Sequence, residues 1–212
     1  MRRMTPAAAP AVRSAPTKGE ETRAQILAVA VQHASAAGFE SLTIGTLAEK
    51  TGMSKSGLFA HFGSKLELQM ATLDEAARQF GEAVFLPALQ VPRGVKRMKA
   101  LFENWISWTR RTALPGGCPV DAATREYQFQ PGPMRDSALG RQKQLDRELT
   151  KTVQLAIDTG ELAADTDPRQ VAFEMVGIIL VYYRAELVVG AEEATRRARA
   201  SFERLLSQHL TR

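Results

Sequence analysis

The chain has 212 residues, of which 44% are hydrophobic and 24% charged, a composition that excludes a fibrous, repetitive or wholly disordered protein. Its single cysteine excludes an internal disulfide and favours a cytoplasmic location, and no run of ~20 apolar residues predicts a membrane span. The net charge of +5 lies almost entirely in residues 1–65, which hold eight Lys and Arg against four Asp and Glu, whereas residues 66–212 hold 20 against 19.

This charge imbalance favours binding of the N-terminal third to a polyanion such as DNA, although many exposed surfaces are also mildly basic. Residues 1–20 are predicted to form a disordered basic tail, because prolines at positions 6, 10 and 16 interrupt any helix. The arginines of this tail either contact DNA phosphates or have no binding role.

From Glu21 onward the apolar residues recur with helical spacing, and no alternating pattern predicts a strand. The sequence therefore predicts an all-α protein of about nine helices. The first helix ends at Gly38, and the second runs from Ile44 to Thr51 after a Thr43 cap. The third follows a cap at Ser54 and ends near Phe62. The remaining predicted helices are 65–85, 94–112, 118–128, 136–158, 168–188 and 191–209.

The second and third helices, joined by a glycine-containing turn, have the spacing of a helix-turn-helix. One face of the third helix carries a cation, a small hydroxyl, a glycine that permits close approach and a flat ring, which suit a DNA groove. These outward residues are Lys55, Ser56, Gly57, Phe59 and His61. By spacing alone, any compact three-helix bundle shows this pattern, and His61 could equally pack between helices.

Residues from Thr22 to about Phe80 resemble the N-terminal domain of the TetR/AcrR family of transcriptional regulators. The matching segments include Gly38-Phe39, Ser41-Leu42-Thr43, Leu47-Ala48, Thr51-Gly52-Met53-Ser54-Lys55, Leu58-Phe59-Ala60-His61-Phe62 and Ser64-Lys65. The resemblance implies a helix-turn-helix domain over residues 21–66 and a ligand-binding and dimerisation domain over residues 67–212.

The resemblance also implies roles for single residues. Thr43 would cap the second helix and donate to a phosphate, and Lys55 and His61 would contact phosphates or base edges. Lys65 would hold a phosphate at the N-terminus of the fourth helix. Ser54, Ser56, Gly57 and Phe59 complete the predicted DNA-binding set. The chain departs from the family at Phe59, where Tyr is usual, and at Gly57, where Thr or Ser is frequent.

A ligand-binding cavity is predicted in the second domain, where both tryptophans lie. Phe102, Trp105 and Trp108 fall three apart on one helix face, although core packing explains such a face equally well. The candidate ligand-binding residues are Phe102, Trp105, Trp108, Cys118, Glu126, Tyr127, Phe129, Met175 and Tyr182. Glu126 could meet a cationic ligand or a neighbouring arginine. Cys118, near a helix N-terminus, is either a reactive thiol or a structural residue.

The last two predicted helices, 168–188 and 191–209, are expected to form a homodimer interface. Residues from Val171 to Tyr183 are apolar nearly all round the helix. The final helix offers an apolar stripe of Ala194, Ala198, Phe202, Leu205 and His209. Two such helices from each subunit would form a four-helix interface about a two-fold axis. The alternative is that both helices belong to the core of a single chain.

Together these features predict a dimeric repressor that leaves a palindromic double-stranded DNA operator when it binds a small apolar or aromatic effector. An enzyme is not expected, because the three histidines lie on separate predicted helices and no spacing suggests a triad, a metal site or a cofactor loop. The alternatives are an activator of the same family and a DNA-binding protein that responds to no ligand.

Overall fold

The structure is a computed structural model that describes residues 17–211. The predicted tail lies outside the described residues up to position 16, and residues 18–20 already belong to the first helix. The helices are α1 Lys18–Ala37, α2 Ile44–Thr51, α3 Lys55–Phe62, α4 Lys65–Phe80, α5 Leu86–Leu89, α6 Val95–Arg111, α7 Pro119–Tyr127, α8 Pro133–Asp158, α9 Pro168–Val189 and α10 Ala191–Ser207. None of these helices combines the length and apolar character that a membrane crossing requires.

Side-chain caps set where the N-terminal helices begin. Thr43 accepts from the Thr46 amide, Ser54 from the Gly57 amide and Ser64 from the Glu67 amide, which confirms the three predicted helix starts. A capping box between Thr17 and Glu20, which the sequence analysis missed, starts α1 at Lys18 instead of Glu21. Helices α1 to α4 enclose a small core of Ile26, Leu27, Ala30, Leu42, Leu47, Ala48, Leu58, Phe62 and Leu68.

The end of α4 differs from the prediction of a continuous α-helix to Phe85. The α-helix ends at Phe80, a π-helical turn covers Gly81–Phe85, and α5 continues through Pro87. Pro87 cannot donate to the carbonyl of Ala83, and this carbonyl accepts from Arg111 Nη2 at 3.0 Å. The neighbouring carbonyl of Val84 accepts from Asn104 Nδ2 at 3.0 Å. Hydrogen bonds from α6 thus allow the helical path to continue past the proline.

The larger core lies among α6, α8, α9 and α10. Phe102 of α6 stacks on Phe202 of α10 with ring centroids 4.1 Å apart. The apolar stripe predicted on the last helix faces this core, since Ala194, Ala198, Phe202 and Leu205 are buried within the chain. The alternative of an intrachain core is therefore correct for these side chains of α10.

A third cluster joins the two domains. It contains Ala34 and Phe39 near the end of α1, Leu73 of α4, and residues of α7 and α8, namely Ala123, Tyr127, Met134 and Ala138. The loop before α7 also contacts α1, because the Ser35 hydroxyl donates to the Gly117 carbonyl and accepts from the Gly116 amide. The N-terminal domain therefore packs directly against the start and the end of α7.

We predict that Gly116→Ala lowers the free energy of unfolding by about 2–3 kcal/mol, because an added Cβ would lie 1.7 Å from the backbone carbonyl oxygen of Ser35. Urea unfolding followed by circular dichroism measures this loss. Gly140→Ala in α8 is the matched control, since nothing lies within 4 Å of its added Cβ. It should be neutral or stabilising by up to about 1 kcal/mol. Equal stability of the two variants would contradict the close packing of Gly116.

Candidate DNA-binding surface and internal cavity

The outward face of α3 is open to solvent. Lys55 and Ser56 are exposed, and the Phe59 ring has 58% of its surface accessible although it is large and apolar. Ser54 accepts from the Gly57 amide at 3.1 Å and lies 3.2 Å from the Ser56 hydroxyl. The helix is anchored from its other face, where Leu58 and Phe62 are buried. The structure thus presents a cation, hydroxyls and an apolar ring on one short, fixed helix.

Two further predicted DNA contacts lie at helix N-termini beside α3. Thr43 caps α2, and its hydroxyl lies 3.2 Å from that of Thr46. Lys65 is the first residue of α4, where the helix dipole favours an anion. Its ammonium forms an exposed ion pair with Glu40 at 2.9 Å. His61 is partly exposed at the end of α3, and its ring centroid lies 6.3 Å from that of Phe62.

A cavity of about 650 Å³ lies in the C-terminal domain between α4, the π-helical turn and α6 to α9. Its walls are mainly apolar and include Phe80, Phe85, Leu86, Trp105, Val120, Leu145, Val176, Ile179, Leu180 and Tyr183. The cavity has the size and lining of a site for a small organic molecule. Three ion pairs lie around it, Arg141 with Asp74, Arg78 with Glu82 and, at 3.0 Å, Arg125 with Asp121. The carboxylate of Glu148 also lines the cavity.

Two polar groups in the cavity wall, the indole N–H of Trp105 and the Nε–H of Arg141, have no hydrogen-bond partner among the described residues. Only 5% of the Trp105 surface is accessible, and within residues 17–211 its indole N–H has no acceptor. The other tryptophan, Trp108, donates to the Tyr183 hydroxyl at 2.9 Å. Burial raises the pKa of Tyr183 well above its ordinary value, so this phenol is neutral. Since a buried donor without an acceptor is costly, a ligand oxygen would satisfy the Trp105 N–H or the Arg141 Nε–H.

Two profiles of one regulator family match the sequence. The profile "Bacterial regulatory proteins, tetR family" covers residues 26–71, and "Tetracyclin repressor-like, C-terminal domain" covers residues 94–202. The chain belongs to the TetR family. Members of this family are transcriptional regulators and not enzymes, and the helix-turn-helix is their DNA-binding element. A comparison with curated protein sequences finds no match.

Solved structures of TetR-family regulators share this fold. A regulator from Cytophaga hutchinsonii superposes with a TM-score of 0.80 at 17% identity, over 94% of this chain and 100% of that chain. One from Chloroflexus aurantiacus gives a TM-score of 0.76 at 21% identity, over 92% and 99% of the two chains. AibR, solved in complex with isovaleryl coenzyme A and operator DNA, gives 0.62 at 24% identity, over 76% and 86%.

Two of the predicted ligand-binding residues, Trp105 and Cys118, line the cavity between α4 and α9. The structure places the others elsewhere. Phe102, Trp108 and Met175 are in the core, and Tyr182 donates to Glu186 at 2.5 Å. The ring of Phe129 is 87% exposed.

Glu126 and Tyr127 face the DNA-binding domain instead of a ligand or a neighbouring arginine. The Glu126 carboxylate accepts from the backbone amides of Phe39 and Glu40, and the Tyr127 hydroxyl donates to the Glu40 carboxylate. The sequence placed Glu126 and Tyr127 in the second domain, but it does not show which neighbouring element their side chains contact. The cavity residues that sequence reasoning missed include Phe80, Phe85 and Tyr183. The two phenylalanines lie at the end of the predicted helix 65–85, which was not assigned to the ligand site.

Cys118 is a half-buried thiol in the cavity wall. It lies at the N-terminus of α7, and the amides of Val120 and Asp121 favour its thiolate. Burial outweighs these hydrogen bonds and raises the pKa of Cys118 to about 12. The raised pKa disfavours a reactive thiol at neutral pH and supports the structural alternative.

The exposed face of α9 is apolar. Phe173 and Val181 have 70% and 67% of their surfaces accessible, and they line a groove between α9 and α10. On the α10 side the groove is lined by Arg197, Ser201 and Arg204 together with small residues. A TetR-family chain thus carries a large uncovered apolar surface within the two helices predicted to dimerise.

We predict that Cys118 reacts at least about tenfold more slowly with iodoacetamide at pH 8 in the folded chain than in the urea-unfolded chain. The reason is that only the thiolate reacts, and burial moves the pKa from an ordinary value of 9.0 to about 12. Mass spectrometry of timed samples measures both rates. Comparable rates would show that the thiol is not desolvated.

Proposed function

We propose that this TetR-family regulator is a homodimeric repressor that binds a palindromic operator and is released by a small, largely apolar effector. The observation that carries the proposal is the apolar cavity, with its unsatisfied Trp105 donor, in a chain that also presents an exposed helix-turn-helix face. A site able to bind an organic molecule and a site able to bind DNA are then parts of one polypeptide.

DNA binding is assigned to α3 and the helix N-termini beside it. Lys55 supplies a positive charge and Ser56 a hydroxyl for phosphate or base edges, while Phe59 offers an apolar surface suited to a thymine methyl group. Thr43 and Lys65 lie where backbone phosphates are best held, at the starts of α2 and α4. Ser54 fixes the start of α3, and Gly57 lets its backbone approach the groove.

Dimerisation is assigned to α9 and α10. An uncovered apolar surface of this kind is unusual for a monomer and typical of an interface. Phe173, Gly177 and Val181 follow each other at one-turn spacing along α9, so that two copies of the helix can pack about a two-fold axis. A two-fold dimer would place its recognition helices about 34–36 Å apart, in successive major grooves of a palindrome.

The effector is assigned to the cavity between α4 and α9. Aromatic and aliphatic walls favour an apolar or aromatic body, and the Trp105 indole N–H favours a ligand with an oxygen acceptor buried beside it. AibR, a neighbour of the same fold, was solved with an acyl thioester, isovaleryl coenzyme A, and with operator DNA. This supports a ligand site and a DNA site on one such fold.

Selection of duplexes from a random DNA pool by the purified protein tests the proposed function. We expect enriched sites with two inverted half-sites and a stoichiometry of two chains per duplex. Recovery of no sequence preference, with binding that disappears at modest salt, would contradict specific repression.

We predict that Lys55→Ala weakens operator binding and makes its salt dependence shallower by about two in the slope of log K against log salt, because a dimer loses two phosphate contacts. Fluorescence anisotropy at several salt concentrations measures the slope. Lys143→Ala, which removes an exposed charge from α8, is the matched control and should leave the slope unchanged. Identical slopes for the two variants would remove Lys55 from the phosphate contacts.

We predict that Val181→Glu converts the dimer to a monomer, because two carboxylates would replace apolar contacts and repel each other at the two-fold axis. Sedimentation velocity should show the variant at half the mass of the wild-type species. Leu89→Glu places the same charge at an exposed apolar residue outside the groove and should remain dimeric. A Val181→Glu variant that stays dimeric would rule out this face as the interface.

A further inference from the structure

Helix α7 contacts both candidate sites. It is nine residues long, which gives a length of about 14 Å. Its first turn lines the cavity through Val120 and Asp121, and its N-cap residue Cys118 lines the cavity as well. Its last turn carries Glu126 and Tyr127, which contact the DNA-binding domain. One short helix therefore connects the cavity wall to the helix-turn-helix.

At the end of α7, the Glu126 carboxylate binds two adjacent backbone amides. The two carboxylate oxygens of Glu126 accept from the Phe39 amide at 2.8 Å and from the Glu40 amide at 2.7 Å. Hydrogen bonds to an ionised acceptor are among the strongest in proteins. Gly38 has φ +81, and a Cβ at this position would lie 3.0 Å from the Glu126 carboxylate. The close approach of the carboxylate therefore requires a glycine there.

Phe39 and Glu40, whose amides bind Glu126, lead directly into the helices of the DNA-binding domain. Phe39 is fully buried in the cluster that joins the two domains, and its carbonyl accepts from the Gln69 side chain at 2.6 Å. The Glu40 carboxylate accepts from the Tyr127 hydroxyl at 2.8 Å and from the Lys65 ammonium at 2.9 Å. Thr43, three residues farther on, caps α2. A displacement of the last turn of α7 thus acts on the starts of α2 and α4.

We infer that α7 transmits occupancy of the cavity to the DNA-binding domain through the hydrogen bonds that Glu126 accepts from the Phe39 and Glu40 amides. This inference rests on the proposed function of the cavity as the effector site. Glu126 and Tyr127 are then positioning residues of the regulatory response and do not touch the ligand. In one state α7 lies as described and the two amides are held. In the other, a ligand displaces the first turn of α7 and the amides are released.

A ligand can shift the equilibrium between the held and the released state only by the difference between its affinities for these two states. The path through α7 differs from transmission along α4 alone, because it predicts that one carboxylate outside both binding sites controls the response. Removing this carboxylate should leave the cavity and the α3 surface intact and abolish the coupling between them.

The single cysteine of the chain allows a test without the natural effector. Benzyl methanethiosulfonate at alkaline pH converts Cys118 to a benzyl disulfide and releases methanesulfinate, which places a bulky apolar group at the cavity end of α7. Methyl methanethiosulfonate provides a smaller group at the same atom. Mass spectrometry establishes complete modification before each measurement.

The first measurement is hydrogen–deuterium exchange of the Phe39 and Glu40 amides in the full-length protein. In the wild type we expect the benzyl group to accelerate exchange at least about tenfold, and the methyl group to do so less. In Glu126→Gln, exchange should be fast before labelling and unchanged after it. In Asp146→Asn, an exposed charge-removing control on α8, the benzyl group should act as in the wild type. Unchanged exchange in the benzylated wild type would overturn the inference.

The second measurement is the affinity for the duplex obtained by random selection. The benzyl group should weaken wild-type binding at least about tenfold and Glu126→Gln binding less than about threefold. Equal weakening of the two proteins would overturn the inference and leave the proposed function standing. If selection yields no preferred duplex, the proposed function fails, and the exchange measurement, which needs no DNA, still decides whether α7 connects the two domains.

Discussion

The carboxylate of Glu126, bound to two backbone amides of the turn after α1, holds the DNA-binding helices to the rest of the molecule. Hydrogen bonds between a charged acceptor and an amide contribute about 1.5–3 kcal/mol each, which is large against the total stability of a domain. Packing of Phe39 among residues of α4, α7 and α8 supplies the apolar part of the same junction. The orientation of α3 relative to the cavity depends on this junction, because α2 and α3 otherwise pack only on the small N-terminal core.

The cavity exists because the helices around it depart from regular packing. The π-helical turn Gly81–Phe85 widens the path of the chain after α4, and its exposed carbonyls are satisfied by Asn104 and Arg111. The same turn brings Phe85 to the cavity wall. Single π-helical turns inside helices are frequent at functional sites. The unsatisfied N–H of Trp105 is a second local cost that a ligand would remove. Both features lie where we propose that the effector binds.

The sequence predicted the elements that obey local rules. Thr43, Ser54 and Ser64 are capping residues, and their side chains bond the next turn whatever the tertiary structure is. Gly38 and Gly52 end their helices for an equally local reason, since both have positive φ. The fold class and the helix-turn-helix follow from these signals together.

The cavity could not be predicted in the same way. Helical spacing shows that Phe102, Trp105 and Trp108 are buried, but it does not distinguish a face that meets the core from one that lines a void. Pro87 suggested a helix end, because the hydrogen bonds from α6 that allow the helix to continue are not visible in the local sequence. Glu126 suggested a ligand contact, because its partners are backbone amides about 87 residues away in the sequence, which carry no sequence signal.

Cooperative unfolding tests most directly whether the junction makes the two domains one unit. Both tryptophans lie in α6, so their fluorescence reports the C-terminal domain, while circular dichroism reports all helices. At one protein concentration in urea, the two signals of the wild type should give coincident transitions, and those of Glu126→Gln should separate, with circular dichroism changing at lower urea. Separate transitions in the wild type, or coincident ones in both proteins, would contradict the claim that the Glu126 carboxylate couples the domains.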